Sequence, residues 1–407
     1  MTRRERVRKA LRFEPTDQVP KDLGAMLSTC VSCFAYPGLV SALGLPYRPP
    51  RVFDTGQMLA LPDPDVLDAL DCDCAFVSSD SASDVLPEPE RWKPYDFGGR
   101  LSALVLNPNV FVVQADGSIV QNGSSTMVPA SFVFSAAHGG QLLDLSTEPP
   151  RENLEALARN LKASRFTPER VAAIADYCRR SRAASDRAIM FSGLSAGLGF
   201  RNGMASFSML CMMDPGYVKD LHCVLADHAI AQAELLLPAI APYVDALMLS
   251  ADDQGMQQTS ILPPDLYHEL FTPAYRRIND ACHRIAPDVF TFYHCCGAIY
   301  DLLDAIIESG FDALNPVQWS AGGHSFREWK DRCRKRITLW GGGVNTQATL
   351  PLGTLADIER EVAEVVEVMS ADSGFIFCAI HNLLAEIPPE KILALYRTAA
   401  RVRPAVR

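Results

Sequence analysis

The chain has 407 residues, a net charge of −10, 48% hydrophobic and 21% charged residues. The acidic balance excludes a broadly basic nucleic-acid-binding surface, and the apolar content suffices for a large core rather than a disordered chain. The charged start Met1-Thr2-Arg3-Arg4-Glu5-Arg6-Val7 lacks an apolar signal core, and no uninterrupted apolar run reaches the ~18 residues of a membrane span, so a cytoplasmic protein without membrane contact is expected. Twelve cysteines in so long a chain read as reduced thiols.

In chain order, short apolar runs bounded by Gly, Pro or Asp predict eight strands at 19–24, 74–79, 188–194, 245–251, 289–295, 313–318, 337–342 and 374–381. Helical patterns occupy 216–238, 264–285, 300–309, 325–335, 355–370 and 389–402, with Pro264 and Pro389 suited to first turns. Strand–helix alternation of this kind calls for a parallel sheet, and eight units fit a closed (β/α)8 TIM barrel. An open doubly wound sheet is the structural alternative. Runs at 92–97, 110–114 and 118–120, around the turn dipeptide Asp116-Gly117, read as β-hairpins. They point to a β-hairpin and helical insertion after the second strand, at about 85–187, within one domain spanning 1–407.

Chemistry concentrates where the predicted strands end. Tyr293-His294-Cys295-Cys296-Gly297 closes the fifth. Alternation puts His294 and Cys296 on one face, and an imidazole with a thiolate makes half of a catalytic zinc site. The third ligand is expected to be His381, at the end of the eighth strand; Cys378 is its rival. The bland reading is a satisfied core histidine beside a buried thiol. Asp252 and Asp253 follow the fourth strand and could orient substrate or exchange protons as a carboxylate pair. Trp340-Gly341-Gly342-Gly343-Val344-Asn345 could cradle an anion or be a tight turn. Cys30-Val31-Ser32-Cys33 is a lone C-x-x-C, Lys21 and Asp22 could line the pocket, and Gly193-x-Ser195-x-Gly197 only superficially suggests a nucleophile elbow.

Several runs together resemble the uroporphyrinogen decarboxylase superfamily. They are Arg4–Leu11 with Pro15-Thr16-Asp17-Gln18-Val19-Pro20, Asp252-Asp253-x-Gly255-x-Gln257, His294-x-Cys296-Gly297, Asn315-Pro316-Val317-Gln318, and His381 before Pro388-Pro389-Glu390. The resemblance implies a TIM barrel with its pocket at the strand C-termini. The arginine-bearing run that true decarboxylases carry near the first strand is replaced here by Asp22-Leu23-Gly24-Ala25-Met26-Leu27-Ser28-Thr29. The likeness therefore leans to the branch of corrinoid-dependent methyltransferases and O-demethylases. It implies Zn²⁺ on His294, Cys296 and His381, catalytic roles for Asp252, Asp253 and His381, and substrate contacts from Gln257, Tyr293, Gln318, Trp340 and Asn345. It also implies a small methylated, methoxy-type substrate, a partner protein carrying a cobamide, and a homodimer by analogy with the decarboxylases. The alternative is a metal-independent decarboxylase of a small carboxylic acid.

Overall fold

The computed structural model describes residues 1–80, 82–134 and 148–403. Seven parallel strands, Cys74–Ser78, Ala188–Ser192, Ala246–Ala251, Phe290–His294, Ala313–Asn315, Thr338–Trp340 and Phe375–Ile376, pair in chain order into one curled sheet. Residues 20–22 lie between its edges. Phe377 N–H donates to Pro20 O at 2.8 Å, Asp22 N–H to Phe377 O at 2.8 Å, and Asp73 N–H to Lys21 O at 2.7 Å. The expected first strand thus shrinks to a bridge at Lys21. Pro20 has no N–H to give a ladder. The result is the TIM-barrel architecture expected, with shorter strands.

Both faces of these strands are covered, which is why they read as continuous apolar runs rather than alternating ones. Met190, Phe292, Trp340, Ile376 and Cys378 fill the barrel interior together with Val7, Ala10 and Leu11 of the helix Arg3–Leu11. Arg4, Arg8 and Arg182 converge on the buried Asp245 at 2.7, 2.9 and 2.5 Å. The helix Pro215–Ile240 is, among the described residues, the one helix long and apolar enough to cross a membrane, although Lys219, Asp220, Asp227 and Glu234 interrupt its apolar run. In this fold it packs against the helices Leu154–Ala163, Pro168–Ala184 and Thr272–Ile285.

Beside the barrel lie two smaller sheets. One orders Val31–Ser32, Leu59–Leu61, Arg51–Asp54, Ser102–Val105 and Lys93–Asp96; the other is the antiparallel meander Phe111–Val113, Ile119–Gln121, Ser125–Met127. The hairpins expected between 92 and 120 are present, but three of the first sheet's five strands come from before Cys74–Ser78, so the insertion at about 85–187 accounts for only part of it. Those earlier strands run two to four residues and are mostly buried throughout, leaving no alternation to read.

Candidate metal centre

The centre is built where two neighbouring strands end together. Ala251 pairs with His294, and His294 with Asn315, in parallel register. Past the strand ends the ladder continues between loops: Asp252 N–H to His294 O at 3.0 Å, Gly255 N–H to Cys296 O at 3.1 Å, and Ala298 N–H to Met256 O at 2.8 Å. The loops cross glycine on glycine. A Cβ on Gly297, whose φ is +87°, would lie 2.2 Å from Gly255 O. This contact explains why each carboxylate or thiol run is followed by glycine.

The crossing brings the ligand atoms of Asp253, His294 and Cys296 within 4.8 Å of one another. His294 Nδ1 is 2.8 Å from Asn315 Oδ1. The Asn315 amide is oriented by donating its Nδ2 to Trp340 O at 2.9 Å, and its Oδ1 also accepts from Ser28 Oγ at 2.6 Å. His294 therefore donates through Nδ1, which leaves the Nε2 lone pair facing Asp253 Oδ1 at 3.3 Å. Two acceptors at that distance require a proton or a cation between them. Burial pushes the Asp253 carboxyl up, but the His294 hydrogen bond outweighs it and holds the group well below the usual carboxylate range. Burial, then the Asp253 charge, drives the Cys296 thiol well above its ordinary value. Imidazole, thiol and carboxylate on a half-exposed rim form a donor set that suits zinc, which would displace the thiol proton.

His381 stands beside this group rather than in it: its ring centroid is 5.9 Å from that of His294, edge to face. Burial and His294 lower its pKa to about 4, so the ring is neutral at physiological pH. Cys378, the rival ligand, lies in the barrel-interior layer with Phe292 and Trp340. Asp252 and Asp253 face different ways. Asp253, His294 and His381 line a cavity of about 990 Å³, whereas Asp252 lines a separate one of about 450 Å³ with Arg201 and Glu152. Asp252 is buried, its pKa raised to about 7 by that burial and by Asp253.

None of the five residues expected to contact substrate lines the larger cavity. Strand alternation turns Tyr293 away from His294; its hydroxyl meets Tyr267 at 3.1 Å and its ring stacks on Phe311. Trp340 points into the barrel and donates to Asp22 at 2.9 Å, Asp22 itself being raised to about 6 by burial. Gln318 accepts from Gly297 N–H at 2.8 Å, and Gln257 accepts from Gln347 at 2.9 Å. Asn345 caps the turn into Thr349–Leu352 and gives its own N–H to Glu361. That carboxylate argues against an anion at the glycine loop, which packs its backbone on Phe377 and Val317 instead. Cys30 and Cys33 are buried free thiols, and Ser195 Oγ accepts from Gly197 N–H. The residue that sequence reasoning passed over is Asn315. It stood in a motif without a role, and only its register beside His294 reveals one.

The uroporphyrinogen decarboxylase (URO-D) family profile matches residues 147–402. The chain belongs to this family. Over 98% of both chains, this URO-D member superposes on a methyltransferase from Methanosarcina mazei with a TM-score of 0.54 at 17% sequence identity, a likeness of fold. Xylanase 10B from Thermotoga maritima aligns over 64% of this chain and 91% of its own at 11% identity, with a TM-score of 0.33, which carries no functional argument. No curated protein sequence matches the chain.

Proposed function

We propose that this URO-D family member is a zinc-dependent methyltransferase that moves a methyl group between a small methylated substrate, of the methoxy type, and a corrinoid protein. The observation that carries this reading is the convergence of Asp253, His294 and Cys296, with His294 Nε2 freed for a cation by the Asn315 hydrogen bond. The fold shared with the Methanosarcina mazei methyltransferase supports it. In this reading Asp253 takes the third ligand position expected of His381, because the loop crossing places it closer. When bound, zinc supplies a Lewis acid for the heteroatom that loses its methyl group, and a cobamide on the partner protein supplies the accepting centre.

The chain's own residues prepare that exchange. Asn315 fixes the tautomer and orientation of His294. Asp253 supplies the negative charge that makes the position attractive to a divalent cation, and Cys296 releases its proton on metal binding. The neutral His381 ring faces the cavity and can hydrogen-bond the substrate heteroatom. Asp252 serves the loop rather than the substrate, its N–H tying the fourth strand's end to His294 O. The alternative, a metal-free decarboxylase, needs cationic side chains to hold a carboxylate, and among the described residues no lysine or arginine lines the cavity.

Elemental mass spectrometry of the purified protein tests the reading. About one zinc per chain is expected, lost in Cys296→Ser and in His294→Ala with the fold retained. Unchanged metal content in both variants would sink it.

A further inference from the structure

The cavity beside the candidate metal centre carries a charge pattern that neither the family nor the ligand set explains. Its acidic lining residues are Asp54, Asp253 and Glu386, and among the described residues no lysine or arginine lines it. Asp253 already has His294 as a partner. Among the described residues Asp54 has no such partner.

Asp54 reaches the cavity through a local irregularity. It ends the strand Arg51–Asp54, and the pairing of that strand with Leu59–Leu61 slips between Val52 and Asp54. Irregularities of this kind re-aim a side chain next to functional sites. One Asp54 oxygen accepts from Gln57 N–H at 2.7 Å, and among the described residues no lysine, arginine or histidine forms an ion pair with it. Asp63, by contrast, is held by Arg48 at 3.0 Å and Arg51 at 3.2 Å. Burial without a counter-charge pushes the Asp54 carboxyl above its ordinary range. Of the two phenylalanines that line the same cavity, Phe132 already carries the Arg100 guanidinium 5.7 Å from its ring centroid, so Phe134 is the ring left to attract an alkylammonium group.

We infer that the cavity selects a substrate bearing an alkylammonium group, held by Asp54 and the Phe134 ring, with the methylated heteroatom directed to the Asp253–His294–Cys296 rim. Asp54 is thus a specificity-determining residue, and anionic substrates are rejected. The assignment rests on the methyl-transfer reading for the identity of the reacting group, but its charge selectivity can be read without catalysis.

Isothermal titration of the full-length protein, without metal or corrinoid protein, separates the two ideas. The probes are choline, its uncharged carbon isostere 3,3-dimethylbutan-1-ol, and the anion 3,3-dimethylbutanoate. Choline is expected to bind at least about tenfold more tightly than the alcohol, with the anion weakest. In Asp54→Asn the cation preference should fall to about twofold or less, and Asp54→Glu should retain it; melting curves check that both variants fold. Where Asp54→Asn does not fold, the order of the three probes on the native protein decides. Equal binding of choline and the alcohol, tightest binding of the anion, an unchanged preference in folded Asp54→Asn, or no choline binding at millimolar concentration would each overturn the inference. Absence of zinc from the protein as purified, together with a retained choline preference, would refute the methyl-transfer reading and leave the charge selectivity intact.

Discussion

The crossing of Gly255 and Gly297 makes the sharpest prediction about how this centre is held. In Gly297→Ala the new methyl would sit 2.2 Å from Gly255 O, 2.3 Å from its carbonyl carbon and 2.7 Å from its Cα. All three are backbone atoms, so no side chain can swing aside. Ordinary contact begins at 3.4 Å, and the two loops must part by about 1 Å. Gly323→Ala is the control, since its φ of +78° resembles the +87° of Gly297 but nothing lies within 4 Å of its Cβ. The backbone term, about 1–2 kcal/mol, is common to both. Overpacking adds about 1–3 kcal/mol to Gly297→Ala alone. Differential scanning calorimetry should therefore separate the two melting temperatures by a few degrees, since a chain of this length loses about 1 °C per kcal/mol. Parting the loops also moves Asp253 away from Cys296, and an error of about 1 Å costs on the order of 10²-fold where geometry matters. Zinc affinity, measured by chelator competition, should thus fall in Gly297→Ala and stay unchanged in Gly323→Ala. Equal melting temperatures and equal metal affinities would refute the crossing as the element that sets the site.

Two further outcomes follow from buried polar groups. Asn315→Ala removes the partner that orients His294 and should weaken zinc binding about 10–100-fold by chelator competition; unchanged affinity would mean that the ring is held by other contacts. His222, buried against Phe207 and Phe271, has its pKa lowered to about 4 by burial, so between that value and its ordinary value near 6.5 the unfolded chain binds the extra proton. Stability is whole above this window and drains as pH falls through it, by about 2 kcal/mol at pH 5 for this one group. His222→Phe should show a smaller drop in denaturation midpoint between pH 7.5 and pH 5; an identical drop in both proteins would contradict the assignment.

The parts of this molecule that could be read from the chain are those whose signal is local. Apolar runs with strand length, helices opened by Pro264 and Pro389, and chemistry-bearing residues at the strand ends sufficed for the barrel and for His294 and Cys296 on one face. The short strands between residues 31 and 61 gave no such signal, because they are buried without alternation. The residues assigned to substrate by motif lie outside the lining of the larger cavity for a related reason. Tyr293, Gln318 and Trp340 sit next to chemistry in sequence, yet the pleat, a loop hydrogen bond and the barrel interior direct them elsewhere.

By itself, the sequence determined the period of the elements, and with it the barrel and the His294–Cys296 pair two residues apart. Tertiary structure alone decided which side chain stands beside that pair, the partner of His294 and the charge of the cavity. Asp253, rather than His381, joins His294 and Cys296 because two glycines let neighbouring loops touch, and Asn315 reached His294 through strand register. Asp54 entered the cavity from a separate sheet. Such contacts join residues tens to hundreds of positions apart, and no local periodicity records them.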